Sequence, residues 1–236
     1  MKRSSYHRLK LAVPLLASGI LAVAAVGHAG TTRRSAAQPL VGTFRLAPGH
    51  GSGGSVTGSY FRMVYPGGTI RAGKFFKNPD STATDKTYTL VRPGTSGGLV
   101  TGGYQPAPTQ AFDAKGNARA TKIIEPQRFT QLAFSLSTSP QDPVSGKAVP
   151  SPSLTATNGK LSGQVEALAA SWNKLYFNQG SPKPGGGKPG LTSSVTGTYD
   201  SKTHAFVLEW ASAIVGGPFN GFTGVWHLQG TFEPRS

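Results

Sequence analysis

Residues 195–210 read VTGTYDSKTHAFVLEW, and this stretch decides the fold class. Val195, Gly197 and Tyr199 alternate with Thr196 and Thr198. After a break, Phe206, Leu208 and Trp210 alternate with Val207 and Glu209. A period of two marks a strand with one buried face. Between the runs, Asp200-Ser201-Lys202 supplies turn chemistry, because an Asp side chain bonds its own backbone two residues on. The stretch reads as an antiparallel hairpin. Residues 154–157, then Asn158-Gly159, then 160–165 repeat the design, with Asn-Gly favouring the type I′ turn that matches strand twist.

Working outward, the same alternation predicts strands over 40–46, 56–65, 87–92, 98–104, 129–136, 222–228 and 230–233. Gly- and Pro-rich stretches separate them: 48–54, 106–108, 140–152 and 181–190 read as loops, and 73–85 as a polar excursion. A pattern of apolar, hydroxyl, Gly, any residue, large side chain recurs at 56–60, 100–104, 195–199 and 222–226, and more weakly at 161–165. Gly between two bulky same-face neighbours leaves room for another backbone and lets a sheet curl. Residues 166–177 (EALAASWNKLYF) stay open between strand and helix. Leu168, Ser171, Trp172 and Leu175 have helical spacing, whereas Trp172, Tyr176 and Phe177 suit a strand.

The chain of 236 residues holds 32 Gly and 18 Pro, about a fifth of its length, which excludes a helical bundle. It holds no Cys, which excludes disulfides, thiolate metal sites and a Cys nucleophile. The expected architecture is all-β: one antiparallel β-sandwich or curled β-barrel with long Gly/Pro-rich loops, spanning 40–236.

The first residues read as an address. Lys2, Arg3, Arg8 and Lys10 precede an uncharged stretch over 11–27, and Gly27-His28-Ala29 places small residues at a cleavage site. Residues 1–29 are therefore expected to be a signal peptide, with an uncleaved membrane anchor as the alternative, and 30–39 a flexible lead-in. No later stretch is apolar enough to span a membrane, so no span is expected after cleavage. The expected location is secreted, extracellular or attached to the cell envelope. The formal charge is +15, or +11 once the four charges of the leader are lost. Its basic residues are scattered and carry no nucleic-acid signature, so polysaccharide or other anionic envelope polymers are the expected partners rather than nucleic acid.

Most catalytic chemistries lack their residues. His50, His204 and His227 have no metal-ligand spacing, so no metal or other cofactor is expected. There is no G-x-S-x-G elbow, and the Gly-rich run before Lys188 lacks the flanking elements of a phosphate loop. Glycoside hydrolysis needs two opposed carboxylates, and only Glu209, inside a strand, stands out among nine acids. Glu209 is thus the sole catalytic candidate of a non-catalytic reading. Binding is better supplied. Trp172, Asn173, Tyr176, Asn178 and Gln179 form one aromatic and amide segment; Phe219, Asn220, Phe222 and Trp226 form another. Rings stack on the apolar faces of sugars while amides bond hydroxyls, so carbohydrate is the expected ligand. A polysaccharide hydrolase and a purely structural or adhesive module are the alternatives.

The segment IVGGPFNGFTGVWHLQG over 214–230, with the Thr196–Asp200 hairpin upstream and Trp172-Asn173 and YFNQGSP over 176–182, resembles the ending of a set of uncharacterised secreted bacterial β-rich proteins. The resemblance covers mainly 160–230. It implies an exported β protein, and carries no assigned activity and no functional residue.

Overall fold

The computed structural model describes residues 36–235. The expected signal peptide over 1–29 lies outside the described residues, as does most of the 30–39 lead-in. The strands are β1 (Gln38–Leu40), β2 (Gly42–Leu46), β3 (His50–Ser52), β4 (Ser55–Thr57), β5 (Tyr60–Thr69), β6 (Gly73–Phe75), β7 (Thr89–Leu90), β8 (Gly98–Val100) and β9 (Gln127–Phe129). They continue with β10 (Leu132–Thr138), β11 (Ser153–Thr157), β12 (Lys160–Gln164), β13 (Leu168–Trp172), β14 (Leu175–Asn178), β15 (Val195–Tyr199), β16 (Ala205–Ala213) and β17 (Thr223–Pro234). One 3₁₀ turn, Gly217–Phe219, is the only helical element among the described residues. No helix among them is long and apolar enough to cross a membrane.

The all-β class expected from the sequence is the one observed. An 11-stranded sheet follows the order β1-β11-β12-β15-β16-β17-β2-β8, with β5 beside the first half of β17 and β6 and β7 on β5. Every named pair is antiparallel. Only Val41 separates β1 from β2, yet β1 bonds β11 at one end of the path while β2 bonds β17 near the other. The sheet therefore curls until its two ends meet on one continuous run of chain. That run begins at Gln38, inside the expected lead-in, because residues 38–40 bond Leu154, Thr155 and Ala156.

Inside the curl, Phe44 meets Phe206 and Phe232 at ring-centroid separations of 4.9 and 4.8 Å. Alternation directs Phe206, Leu208, Trp210, Trp226, Leu228 and Phe232 inward, and all are buried. Each such side chain contributes about 1.5–3 kcal/mol through removal from water. A second sheet of four strands, β14-β13-β10-β9, lays Phe129 and Phe134 over Phe61 and Trp226. One hydrophobic cluster joins both layers.

Two of the recurring glycines, Gly197 and Gly224, sit within strands as the pattern requires, whereas Gly58 and Gly102 fall in bends at φ 75° and 69°. At Gly197 an added Cβ would lie 1.9 Å from the Val207 carbonyl oxygen, so only Gly permits β15 to approach β16 there. At Gly224 it would lie 2.1 Å from Gln179 Oε1, so Gly makes room for a buried amide.

The hairpins at 154–165 and 195–210 form as read, with Asn158 and Gly159 at φ 51° and 75°. One element left open by the sequence is settled, and one differs from its reading. Residues 166–177, left open between strand and helix, fold as the β13–β14 hairpin around Asn173 and Lys174, at φ 50° and 60°. Asn tolerates the left-handed region, and the helical spacing is incidental. Residues 129–136, read as one strand, break at Thr130-Gln131, so Phe129 faces Leu132 across a hairpin. The turn is held from outside, by Asn78 Oδ1 accepting the Thr130 N–H at 3.3 Å and Asp80 Oδ2 accepting the Gln131 N–H at 2.5 Å. Smaller differences are that 48–54, read as a loop, contributes β3; 56–65, read as one strand, breaks at Gly58-Ser59 into β4 and β5; 73–85 contributes β6; and 222–228 with 230–233 merge into β17.

Candidate functional site

The nine expected ligand residues scatter over the structure. Trp172, Gln179, Phe219 and Trp226 do converge, with Phe61, Phe129 and Phe177, on one cavity between the two sheets. Its volume is about 40 Å³, against roughly 300–1,000 Å³ for a typical ligand pocket. Gln179 is its only polar wall residue. The Gln179 Oε1 accepts the Trp226 indole N–H at 3.0 Å, and its backbone oxygen accepts that of Trp210 at 2.8 Å. The two indoles stack at 5.9 Å, and Trp226 is 1% exposed. Trp172 donates its indole N–H to the Phe129 carbonyl at 2.8 Å and packs on Phe219 at 5.2 Å.

The remaining residues stand elsewhere. Asn173 and Asn220 occupy exposed turns, where Asn220 Oδ1 accepts the Gly216 N–H at 2.8 Å. Tyr176 leans on Phe112 at 5.4 Å, and burial pushes its phenol pKa up. Phe222 packs on Tyr65 at 4.9 Å. Asn178 is buried and satisfied: its Nδ2 donates to Asp142 Oδ1 at 2.9 Å and to the Glu166 carbonyl at 3.0 Å, and its Oδ1 accepts the Gly180 N–H at 3.0 Å. Lys183 closes this corner. Its Nζ donates to the Asn178 carbonyl at 2.6 Å and to Ser212 Oγ at 2.7 Å. Burial lowers the Lys183 pKa to about 8, with the Asp142 carboxylate pulling the other way.

A larger opening lies on the opposite face of the same strands. In β16, Glu209 faces away from Leu208 and Trp210, as alternation requires. Register then sets Thr196, Glu209, His227 and Tyr60 directly opposite one another on β15, β16, β17 and β5. Three interstrand steps make this row about 14 Å long. It borders a groove of about 380 Å³, whose walls include Arg62 and Phe75.

The groups in the row hold one another. His227 Nδ1 lies 2.7 Å from Glu209 Oε1, and Nε2 lies 3.2 Å from Gln229 Oε1. The Glu209 side chain is 56% exposed and the His227 side chain 16%. Tyr60 stacks on the imidazole at 4.6 Å with the planes 7° apart. Burial, then Tyr88, then Glu209 raise the Tyr60 pKa. Arg62 sits one step along, its guanidinium carbon 3.3 Å from the Phe75 ring centre and 4.2 Å from that of Tyr88. Burial lowers its pKa.

Chemically, this face offers an aromatic ledge, one carboxylate, an imidazole, a hydroxyl and a cation. Glu209 is the only carboxylate among the residues lining the groove. Among the described residues, no group of three or more His, Cys or acidic side chains is placed to hold a metal ion. The sequence reading named Glu209 and set His227 aside for want of metal-ligand spacing. It passed over Tyr60, Arg62 and Thr196. Their signal was present, since Tyr60 and Arg62 alternate with Phe61 and Met63, but the pairing of β5 with β17 is not written locally.

Fold and groove together define a curled all-β protein with a polar and aromatic cleft on the outside of its main sheet. Comparison of the chain with family models, with curated proteins and with solved structures found no match in any of the three.

Proposed function

We propose that the chain is an exported, non-catalytic domain of the cell envelope or extracellular space that binds carbohydrate along its outer groove. The observation that carries this reading is the register-fixed row of Thr196, Glu209, His227 and Tyr60 beside an opening of about 380 Å³. A ring presented with hydroxyl, carboxylate and imidazole partners matches a sugar's alternation of apolar faces and hydroxyls. The interior cavity is a poorer candidate at about 40 Å³ with largely apolar walls. Export is supported by the basic, apolar and small-residue succession of 1–29.

The competing reading is a polysaccharide hydrolase. It is favoured by the exposure of Glu209 and its contact with His227, and weakened by the lack of a second carboxylate in the groove. Retention on insoluble glycan separates the two. Tyr60→Ala and Glu209→Gln should each weaken retention with no change in released sugar. Product release by the wild type that Glu209→Gln abolishes would establish the hydrolase, and retention unchanged in both variants would end the binding reading.

A further inference from the structure

We propose that the outer groove selects acidic glycans, with the Arg62 guanidinium receiving a sugar carboxylate. This rests on the reading of the groove as a glycan site and names the sugar class.

Arg62 is a cation held ready without an anion. Arg45, Arg92 and Arg128 pair with Glu233, Glu125 and Asp80, but Arg62 takes part in no ion pair among the described residues. Its one hydrogen bond there runs from Nη2 to Thr87 Oγ1 at 2.9 Å. A guanidinium carries about five N–H donors, so most of its capacity is unused. Its Nε is the only buried side-chain nitrogen or oxygen without a partner among the described residues. The fold thus leaves the hydrogen-bonding capacity of this guanidinium largely unfilled.

The group is also fixed in place. Phe75 and Tyr88 clamp the guanidinium plane, and stacked Arg loses little further freedom when it bonds a planar oxyanion. Carboxylate matches that planar fork in bidentate fashion. The nearby acids do not occupy it. Asp85 acts on Arg62 only through its field, and its Oδ1 accepts the Thr87 N–H at 2.9 Å. Glu209 is engaged by His227 and stands two strands from Arg62, roughly 10 Å away. A glycan lying along the row would thus meet Tyr60 and Glu209 with its ring and hydroxyls, and Arg62 with its acid. The chain's positive charge, +11 once the four leader charges are lost, favours the approach of such a polymer.

The test compares one glycan with its acid free or masked. Full-length protein is titrated with oligogalacturonate and with its methyl ester at about 0.15 M salt. The free acid should bind about tenfold to a hundredfold more tightly than the ester. Arg62→Gln should lower affinity for the free acid to that of the ester in the same variant, and Arg62→Lys should restore part of the difference. Lys115→Gln, an exposed loop position outside the groove, removes the same charge and should change neither affinity by more than about twofold. Equal binding of acid and ester would overturn the inference while the glycan reading stands. Binding of neither would remove both. Equal losses in Arg62→Gln and Lys115→Gln would reduce the effect to general charge attraction and also overturn it. Thermal unfolding of each variant identifies any that fails to fold, in which case Arg62→Lys carries the comparison.

Discussion

The two faces of β5, β16 and β17 are made from neighbouring residues and do opposite work. Phe61, Trp210 and Trp226 point inward, lose almost all contact with water and tie the layers together. Tyr60, Glu209 and His227, each one residue away, point outward and line a groove. The difference shows that aromatic content alone does not mark a binding surface. Strand parity assigns each ring to core or cleft, and a slip of one residue would exchange the two sets.

The contrast can be broken by mutation. The largest effect belongs inside. Trp226→Ala should cost about 3–5 kcal/mol in denaturant unfolding, through a cavity and an orphaned Gln179 oxygen. Tyr60→Ala, on the half-buried outer face, should cost less than about 2 kcal/mol. Equal losses would mean that the outer face is core as well. Gly224→Ala comes next at about 1–3 kcal/mol, because its Cβ must displace Gln179 Oε1. An accompanying change in indole fluorescence would locate the damage at Trp226 and Trp210.

A third expectation concerns the buried cation. The Lys183 pKa falls from 10.5 in the unfolded chain to about 8 in the fold. Below pH 8 both states are protonated and the cost of burying the charge is fully present. Between pH 8 and 10.5 the folded state sheds its proton first, so stability rises with pH across that window. Measured against Lys183→Met, the wild type should gain on the order of 1–2 kcal/mol between pH 7 and 10, after discounting for partial solvent contact. A flat difference would place Lys183 in water. The smallest effect is outside: Glu209→Gln should leave stability within about 0.5 kcal/mol, since its pair with His227 is solvent-exposed, while glycan retention falls.

Much of the fold was legible because its signals are local. Asn158-Gly159 and the Asp200 turn announce two hairpins, and the Asp200 carboxylate accepts the Lys202 and Thr203 N–H groups at 2.7 and 3.1 Å. The Asn173-Lys174 turn carries no Gly, and Thr130-Gln131 depends on Asn78 and Asp80 some fifty residues upstream, so neither was readable. The site suffered more. Opposing His227 to Tyr60 requires strands separated by more than 150 residues to find one register. Periodicity fixes which face a residue takes, and leaves open which strand lies beside it.

One strand holds the wings of the main sheet. β17 bonds β16 along one edge and both β5 and β2 along the other. Order of synthesis then matters. Until residues 223–234 leave the ribosome, β5 and β2 lack their shared partner, and the indole of Trp226 has not arrived to meet Gln179. The nascent polypeptide must wait with these aromatic residues uncovered until β17 pairs.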